Sequence, residues 1–368
     1  MTIAPVSERP QAERATEPPD EADGRRWWSR INGRRVGTVV GAYVGVLVVF
    51  GIVLLVKSDN PFSVVNTMLH STILNWGAIQ QTILRAVPIS LAALAVAIPA
   101  RAGLVNVGGE GQLIMGAVAA TGVGLLVGAT WPGPLTWVAM GVAGAAAGAI
   151  WAGVAGLLRT LLDANEAVTT LLMNFVANDL MLYLIYQPWK YSGGSGQPES
   201  KPLASAARLP QLLGSELNLS VIIAVAVALA VWIVLRRSGW GFALRIVGGN
   251  PEAARRAGLP VKRLLVSSMV VGGALAGLGG MVNFAGLEQQ LRPDITATFG
   301  YVAFLASFLG RHDPPKVVGA AVLFSAIAVS GNGIQLAFGI DGGIVDVLLA
   351  LIVIAPLFLS RLFRGTAR

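Results

Sequence analysis

Apolar residues of this chain fall into long blocks that are separated by polar connections. A helix needs about 20 apolar residues to cross about 30 Å of hydrocarbon, and most of the blocks have this length. We therefore predict an all-α, polytopic membrane protein with about ten transmembrane helices. The block 297–310 is short, so we expect a half-helix or a re-entrant segment there. The predicted spans are 36–56, 82–100, 112–130, 135–157, 167–187, 219–235, 264–286, 297–310, 317–335 and 343–360.

The distribution of basic residues predicts the orientation of these helices. Residues 1–36 are polar and rich in Pro, Glu and Arg, so we expect a disordered cytoplasmic tail before a transmembrane domain at 37–362 and a cytoplasmic end at 363–368. With the N-terminus inside, most of the 27 Lys and Arg residues lie on the inner side, as the positive-inside rule requires. Both termini are then cytoplasmic, 188–218 is a long outer loop, and 236–263 is a basic cytoplasmic loop.

Composition excludes several classes of function. Only 12% of the 368 residues are charged, whereas soluble domains have about 25%. The chain has no Cys and 2 His, which excludes disulfide scaffolds, thiolate metal sites and cysteine nucleophiles. No Lys follows a Gly, so the Gly-Lys-Ser/Thr core of an ATP-binding P-loop is absent. The net charge of the chain is +8. In a membrane protein, basic residues usually mark the cytoplasmic loops, so we expect no nucleic-acid partner.

Three apolar blocks carry small residues at intervals of four, which places them on one face of a helix. Lipid provides no hydrophobic drive for helix association, so such faces let two helix backbones approach closely. We predict packing seams along these stripes, although small residues are common in membrane helices generally. The stripes are Gly116, Ala120, Gly124 and Gly128; Gly144, Gly148, Ala152 and Gly156; and Gly272, Ala276 and Gly280.

The inner loop contains the signals of a short helix that is capped at both ends. Asn250 suits an N-cap, and Pro251 suits the first helical position. Glu252 and Arg256 form a favourable i,i+4 pair, and Gly258 can end the helix in the left-handed conformation. Such a helix either docks in a cytoplasmic partner or lies on lipid headgroups. Its residues are Asn250, Pro251, Glu252, Ala253, Ala254, Arg255, Arg256 and Gly258.

Three motifs together resemble a known family. They are RAGLVNVGGEGQLIMG at 101–116, DANEAVTTLLMNFVA at 163–177 and GNPEAARRAG at 249–258. In this order they resemble the permease subunit of bacterial ABC importers of the branched-chain amino acid/ribose type, and within it the nucleoside, or simple-sugar, permeases. The resemblance runs from about residue 35 to residue 360.

The resemblance implies a multi-subunit importer in the bacterial cytoplasmic membrane. Two permeases, here as a heterodimer, would form the pore in the lipid, and two cytoplasmic ATPase subunits would bind ATP and Mg. This chain itself would bind no cofactor. An extracytoplasmic binding lipoprotein would deliver a small polar solute, a nucleoside in this group. The 188–218 loop would either receive this lipoprotein or be a flexible connection without a role. The segment Asn250–Gly258 would be the coupling helix, and alternating access would move the solute.

Polar residues at membrane depth are candidates for the translocation path, since each is costly to bury. Asn106, Glu110 and Gln112 lie in a glycine-rich stretch that either breaks a helix near the path or forms an inner turn in which Glu110 pairs with Arg101. The amides of Asn174 and Asn178 share a helix face and either line the path or join helices. These five residues, Asn106, Glu110, Gln112, Asn174 and Asn178, are our path candidates.

Several other residues leave alternatives open. Asp163 and Glu166 resemble a capping box at an inner helix start, and Phe175 and Phe284 are aromatic candidates for stacking on a base. Because secondary transporters use intramembrane ionisable residues, an ion-coupled secondary transporter is an alternative function. The Asp residues concerned are Asp179, Asp341 and Asp346. An ABC permease for sugar or amino acid and an intramembrane enzyme are further alternatives, the last without a recognisable catalytic constellation.

Overall fold

The computed structural model describes residues 60–339 except 192, 194–196, 213 and 297, together with the separate residues 41, 44–46, 48, 51, 52, 55 and 351. The tail, the C-terminal end and the predicted span 343–360 lie almost entirely outside these residues, as does most of the span 36–56. The total of ten helices and the cytoplasmic location of both termini therefore stay predictions.

Within residues 60–339, the regular elements that the structure describes are helices, and they belong to one structural unit, Phe50–Val353. In chain order they are α1 Pro61–His70, α2 Trp76–Arg101, α3 Gly109–Val127, α4 Gly133–Leu162, α5 Glu166–Tyr186, a 3₁₀ turn Ser205–Ala207, α6 Leu219–Arg237, α7 Gly239–Gly249, α8 Pro251–Arg256, α9 Val261–Asn283, a π-helical turn Phe284–Glu288, α10 Phe299–Leu309 and α11 Pro314–Phe338.

Seven of the described helices are long and apolar enough to cross a membrane: α2, α3, α4, α5, α6, α9 with its π-helical turn, and α11. They coincide with seven predicted spans, so the chain is a multi-pass membrane protein. The predicted short segment is confirmed as α10, an apolar helix of 11 residues. Two helices, α1 and α7, lie where we predicted only connections.

Asparagine side chains begin several of these helices, because a side-chain oxygen can accept from the free amides of the first turn. Asn60, Asn75, Asn218 and Asn250 act in this way. Asn165 caps α5, with its Oδ1 accepting from the amides of residues 167 and 168 at 3.0 and 3.2 Å. The predicted capping box at residue 163 is therefore wrong.

The predicted capping residue instead ends the preceding helix. Asp163 has the left-handed conformation, with φ 52°, and follows the last residue of α4. Its neighbour Glu166 forms an ion pair with Arg159, 3.2 Å between Nε and Oε2. The ion pair between Glu166 and Arg159 thus connects the start of α5 to the end of α4.

Helix α9 lies at the centre of the described bundle and contacts α2, α3 and α4. Its glycines face backbone atoms of each neighbour. A Cβ at Gly277 would overlap the carbonyl oxygen of Gly144 in α4, and one at Gly280 would overlap that of Leu113 in α3. A Cβ at Gly272 would lie 2.6 Å from the carbonyl oxygen of Ala95 in α2. The packing seams predicted on α4 and α9 are confirmed, whereas the stripe on α3 meets α9 at Gly116 and the loop residues Leu203 and Ala207 at Gly124 and Gly128.

The described part of the outer loop is folded onto the end of α9. The amides of Ser200 and Leu203 donate to the carbonyls of Leu291 and Gln289, both at 2.8 Å. The amide of Leu209 donates to Ala285 at 3.0 Å, and the side chains of residues 203, 207 and 209 are buried. The described residues of this loop therefore form an ordered surface at one end of the bundle.

Candidate coupling segment and intramembrane polar cluster

The predicted coupling segment has the local structure that its sequence indicates. Asn250 Oδ1 accepts from the amides of Glu252 and Ala253, both at 3.0 Å. Glu252 pairs with Arg255 and Arg256, each at 3.3 Å. Gly258 follows the helix at φ +82°, which a residue with a Cβ adopts only with strain. The result is a helix of six residues, α8, that is closed at both ends.

Helix α8 is attached to the bundle by one side chain and exposes the rest. Ala254 is fully buried and belongs to the same apolar cluster as Leu244 and Val247 of α7 and Ile98 of α2. The side chains of the other residues of α8 are exposed. A buried alanine fixes the position of the helix, while the exposed faces remain free to contact another molecule.

The preceding helix, α7, connects the coupling segment to the inner end of α2. A Cβ at Gly248 would overlap the carbonyl oxygen of Arg101, and Gly103 lies against the backbone of Gly248 at φ +83°. Because these contacts are between backbones, α7 packs closely against the chain segment that follows α2. Sequence reasoning missed α7, whose glycine-flanked sequence resembles a loop and whose helical state depends on burying Leu244 and Val247.

Arg101, at the end of α2 that contacts α7, also binds the turn between α10 and α11. Its guanidinium donates to the carbonyl of His312 at 3.0 Å and lies 3.7 Å from the carboxylate of Asp313. The alternative in which Glu110 pairs with Arg101 is therefore wrong. Burial, and then the nearby arginine, lower the pKa of His312, so its ring is neutral at neutral pH. The Nδ1 atom of that ring lies 2.9 Å from the hydroxyl of Ser307.

The segment 102–108 returns from the inner end of α2 into the bundle before α3 begins. The amide of Asn106 donates to the carbonyl of Ala95 at 3.4 Å, and Ala95 lies about 9 Å along the helix from Arg101. Asn106 and Gln112 bond each other reciprocally at 2.9 and 3.2 Å, and both are buried. Irregular backbone at this depth is tolerated because these side chains form hydrogen bonds with its polar groups.

Glu110 joins the starts of two helices. Its carboxylate lies in the first turn of α3, accepts from the amide of Gly300 in the first turn of α10 at 2.6 Å, and accepts from the hydroxyl of Thr296. Helix N-termini carry partial positive charge, so two of them stabilise one buried carboxylate. A Cβ at Gly300 would overlap the backbone of Glu110, which shows how closely the two ends approach.

Asn174 of α5 completes what we call the polar cluster, which consists of Asn106, Glu110, Gln112, Thr170 and Asn174. Asn174 Oδ1 accepts from the amide of Gly111 at 2.8 Å, and its Nδ2 donates to the carbonyl of Val107 at 3.0 Å. The hydroxyl of Thr170 accepts from the amide of Val107 at 3.1 Å. The structure therefore supports the helix-joining role for Asn174.

The structure thus brings four of the five path candidates together and separates the fifth. Asn106, Glu110, Gln112 and Asn174 are buried and bonded within the polar cluster. Asn178 is half-buried on α5 outside it. Of the aromatic candidates, Phe284 is fully buried and Phe175 is 59% exposed. The cluster is built to hold α3, α5 and α10 at one depth.

Replacing Asn174 by Leu is expected to reduce the amount of folded protein. The change leaves the amide of Gly111 and the carbonyl of Val107 buried without partners, at a cost of about 1–3 kcal/mol each. Thermal unfolding in detergent, followed by size-exclusion chromatography, measures the effect. Asn178→Leu is the matched control, since Asn178 makes no hydrogen bond within the part of the chain that the structure describes. Equal unfolding temperatures for the two variants would contradict the helix-joining role.

The chain is similar to known membrane transport proteins over most of its length. Residues 78–358 match the family described as branched-chain amino acid transport system, permease component. The glucose ABC transporter permease protein TsgB13 of Haloferax volcanii is 34% identical over 330 residues, 86% of each chain. The guanosine ABC transporter permease protein NupP of Bacillus subtilis is 30% identical and covers 74% of this chain and 79% of its own.

Relatives also occur as pairs within one organism. The nucleoside ABC transporter permease proteins NupB and NupC of Lactococcus lactis are 28% and 25% identical to this chain, over 84% and 64% of its length and 88% and 76% of their own. The identity over most of the chain, the matching family and the bundle of apolar helices agree with the three motifs. The chain therefore belongs to the permease family of branched-chain amino acid type transport systems and is similar within it to nucleoside and sugar ABC permeases.

Proposed function

We propose that this chain is one of two different permease subunits of an ATP-driven importer for a nucleoside or a sugar. As an ABC permease it is a transport component rather than an enzyme. The proposal places it in the cytoplasmic membrane of a bacterium, with ATP and Mg on a separate ATPase subunit and an extracytoplasmic protein that delivers the solute to the outer surface formed by residues 197–218.

The observation that carries the proposal is the attachment of α8. A capped helix exposes nearly all its side chains on the basic inner loop, and the preceding helix α7 contacts the end of α2 through the backbones of Gly248 and Arg101. Movement of α8 by an ATPase would shift the segment 102–108 and, through the polar cluster, helices α3, α5 and α10. The glycine seams of α9 provide smooth surfaces along which such helices can slide.

Nucleoside or sugar is proposed as the solute because the relatives reported above carry those names. The second permease is proposed because the relatives in Bacillus subtilis and Lactococcus lactis come in pairs. A sugar and a nucleoside share several adjacent hydroxyl groups, so one kind of polar path can serve either.

The test is uptake into proteoliposomes by the complete assembly. The chain is co-purified with the second permease and the ATPase encoded beside it, and the binding protein is supplied outside. We expect uptake of labelled guanosine or glucose only when ATP and Mg reach the ATPase side and the binding protein is present. Uptake by this chain alone, driven by an ion gradient, would overturn the proposal in favour of a secondary transporter.

A further inference from the structure

Asp179 is an exposed carboxylate near the middle of a membrane-spanning helix. It lies about 20 Å from the first residue of α5 and about 10 Å from the last, at 1.5 Å per residue. Its side chain is exposed. The structure gives it no ion pair and no hydrogen bond among residues 60–339 as far as they are described.

Asp179 points away from the rest of the described bundle. Helix α5 packs against α3 and α4 through a buried stripe of Thr170, Asn174, Ala177, Met181 and Ile185. At 100° per residue, Asp179 lies on the face opposite Ala177 and Met181. A charge at this depth is costly in lipid, and the short side chain of an aspartate cannot reach the membrane surface as a long Lys or Arg side chain does. This face of α5 is therefore turned toward water or another protein.

Two exposed aromatic side chains lie one turn before and one turn after this carboxylate. Phe175 and Tyr183 are 59% and 62% exposed, and their spacing of four residues places them in line with Asp179 on the helix surface. Aromatic rings bind the flat faces of bases and sugars through burial of apolar area. A carboxylate between two rings presents an acceptor of two hydrogen bonds between two apolar surfaces.

We propose that Phe175, Asp179 and Tyr183 form a solute-binding stripe that lines the translocation path. Asp179 accepts hydrogen bonds from two adjacent hydroxyl groups of the solute, and the rings of Phe175 and Tyr183 pack against its base or sugar ring. The ligand class is a molecule with a vicinal diol, such as a ribonucleoside or a hexose. This inference rests on the proposed function and adds to it the residues that contact the solute.

An ion site is the other role open to a membrane aspartate, and the surroundings of Asp179 do not support one. Cations in proteins are held by several oxygen or nitrogen ligands. Among the residues that the structure describes, no group of three or more His, Asp or Glu residues could hold a metal ion. The aromatic neighbours on either side suit an organic solute better than a metal ion.

The test compares uptake of a solute with uptake of the same solute lacking the diol. In the assembled importer, KM is measured for guanosine and for 2′,3′-dideoxyguanosine, or for glucose and 2,4-dideoxyglucose, which has no two adjacent hydroxyl groups, if a sugar is taken up. The preference for the diol is the KM of the analogue without the diol divided by the KM of the solute that has it. This ratio is expected to fall about tenfold in Asp179→Leu, because hydrogen bonds to a charged group are lost. Asp179→Glu should retain most of the preference. The binding protein is the same in every assembly. Its own selectivity therefore cancels when the diol preference of a variant is divided by that of the native importer.

The two rings have a separate expected effect. Phe175→Leu and Tyr183→Leu should raise KM for both members of a pair about three- to tenfold, with the preference for the diol unchanged. Membrane abundance and ATP hydrolysis without solute serve as controls for folding in every variant. A diol preference in Asp179→Leu equal to that of the native importer would overturn the solute-binding stripe while leaving ATP-driven import intact. Absence of ATP-driven uptake by the native assembly would instead refute the proposed function.

Discussion

Ala257→Pro is expected to lower ATP-driven uptake about a hundredfold while the permease still inserts and folds. The amide of Ala257 donates to the carbonyl of Ala253 at 2.9 Å, and a proline there removes this bond and disfavours the helical conformation of the preceding residue, Arg256. The cost of about 3 kcal/mol is decisive for a helix of six residues. Ala257 is exposed, so the substitution disturbs no buried contact.

Uptake and ATP hydrolysis by the reconstituted assembly measure this effect. ATP hydrolysis that solute and binding protein stimulate should be lost together with uptake, because both depend on contact between α8 and the ATPase. Ala257→Ser at the same position retains the amide and should behave like the native chain. Full uptake in the proline variant, with α8 unwound, would show that this helix lies on lipid headgroups and transmits nothing.

Gly277→Ala is expected to produce a large loss of stability from the addition of a single methyl group. The added Cβ would overlap the carbonyl oxygen of Gly144 and would lie 3.0 Å from the Cα of Gly148. Backbone atoms cannot turn aside as a flexible side chain can, so α4 and α9 must separate along the seam. Overpacking of this kind costs about 1–3 kcal/mol, and the upper end applies here.

The unfolding temperature of the purified permease in detergent measures this loss. Gly141→Ala is the matched control: it lies on α4 within two turns of Gly148, and its Cβ would be 3.7 Å from a methyl carbon of Leu278, an ordinary contact. That variant should unfold at the native temperature. If both variants unfold at the same temperature, the close approach of α4 and α9 does not limit stability.

Local features of this protein were predictable from sequence because their causes are local. The thickness of hydrocarbon fixes how long an apolar helix must be, so seven spans and the short helix α10 were found from block length. The signals of α8, from Asn250 to Gly258, act within a few residues of each other. The regular spacing of small residues likewise indicated the seams that α9 makes.

The errors concern partners that are distant in sequence. One of the two alternatives for Glu110 paired it with Arg101, yet its partners are Thr296 and Gly300, and Arg101 is bound instead to the turn at 312–313. The capping box failed for another reason: Asp163 and Asn165, two positions apart, can both cap, and the left-handed turn that ends α4 decides which one does.

By itself, the amino-acid sequence of this protein determined the class of membrane protein, seven of its spans, the capped inner helix and the family resemblance, since helix length, capping and motif spacing depend on neighbouring residues. Only the tertiary structure decided which polar residues are used within the bundle and which face outward. Asn174 and Asp179 lie five positions apart on one helix, and their roles differ because α3 packs against the first and no described helix packs against the second.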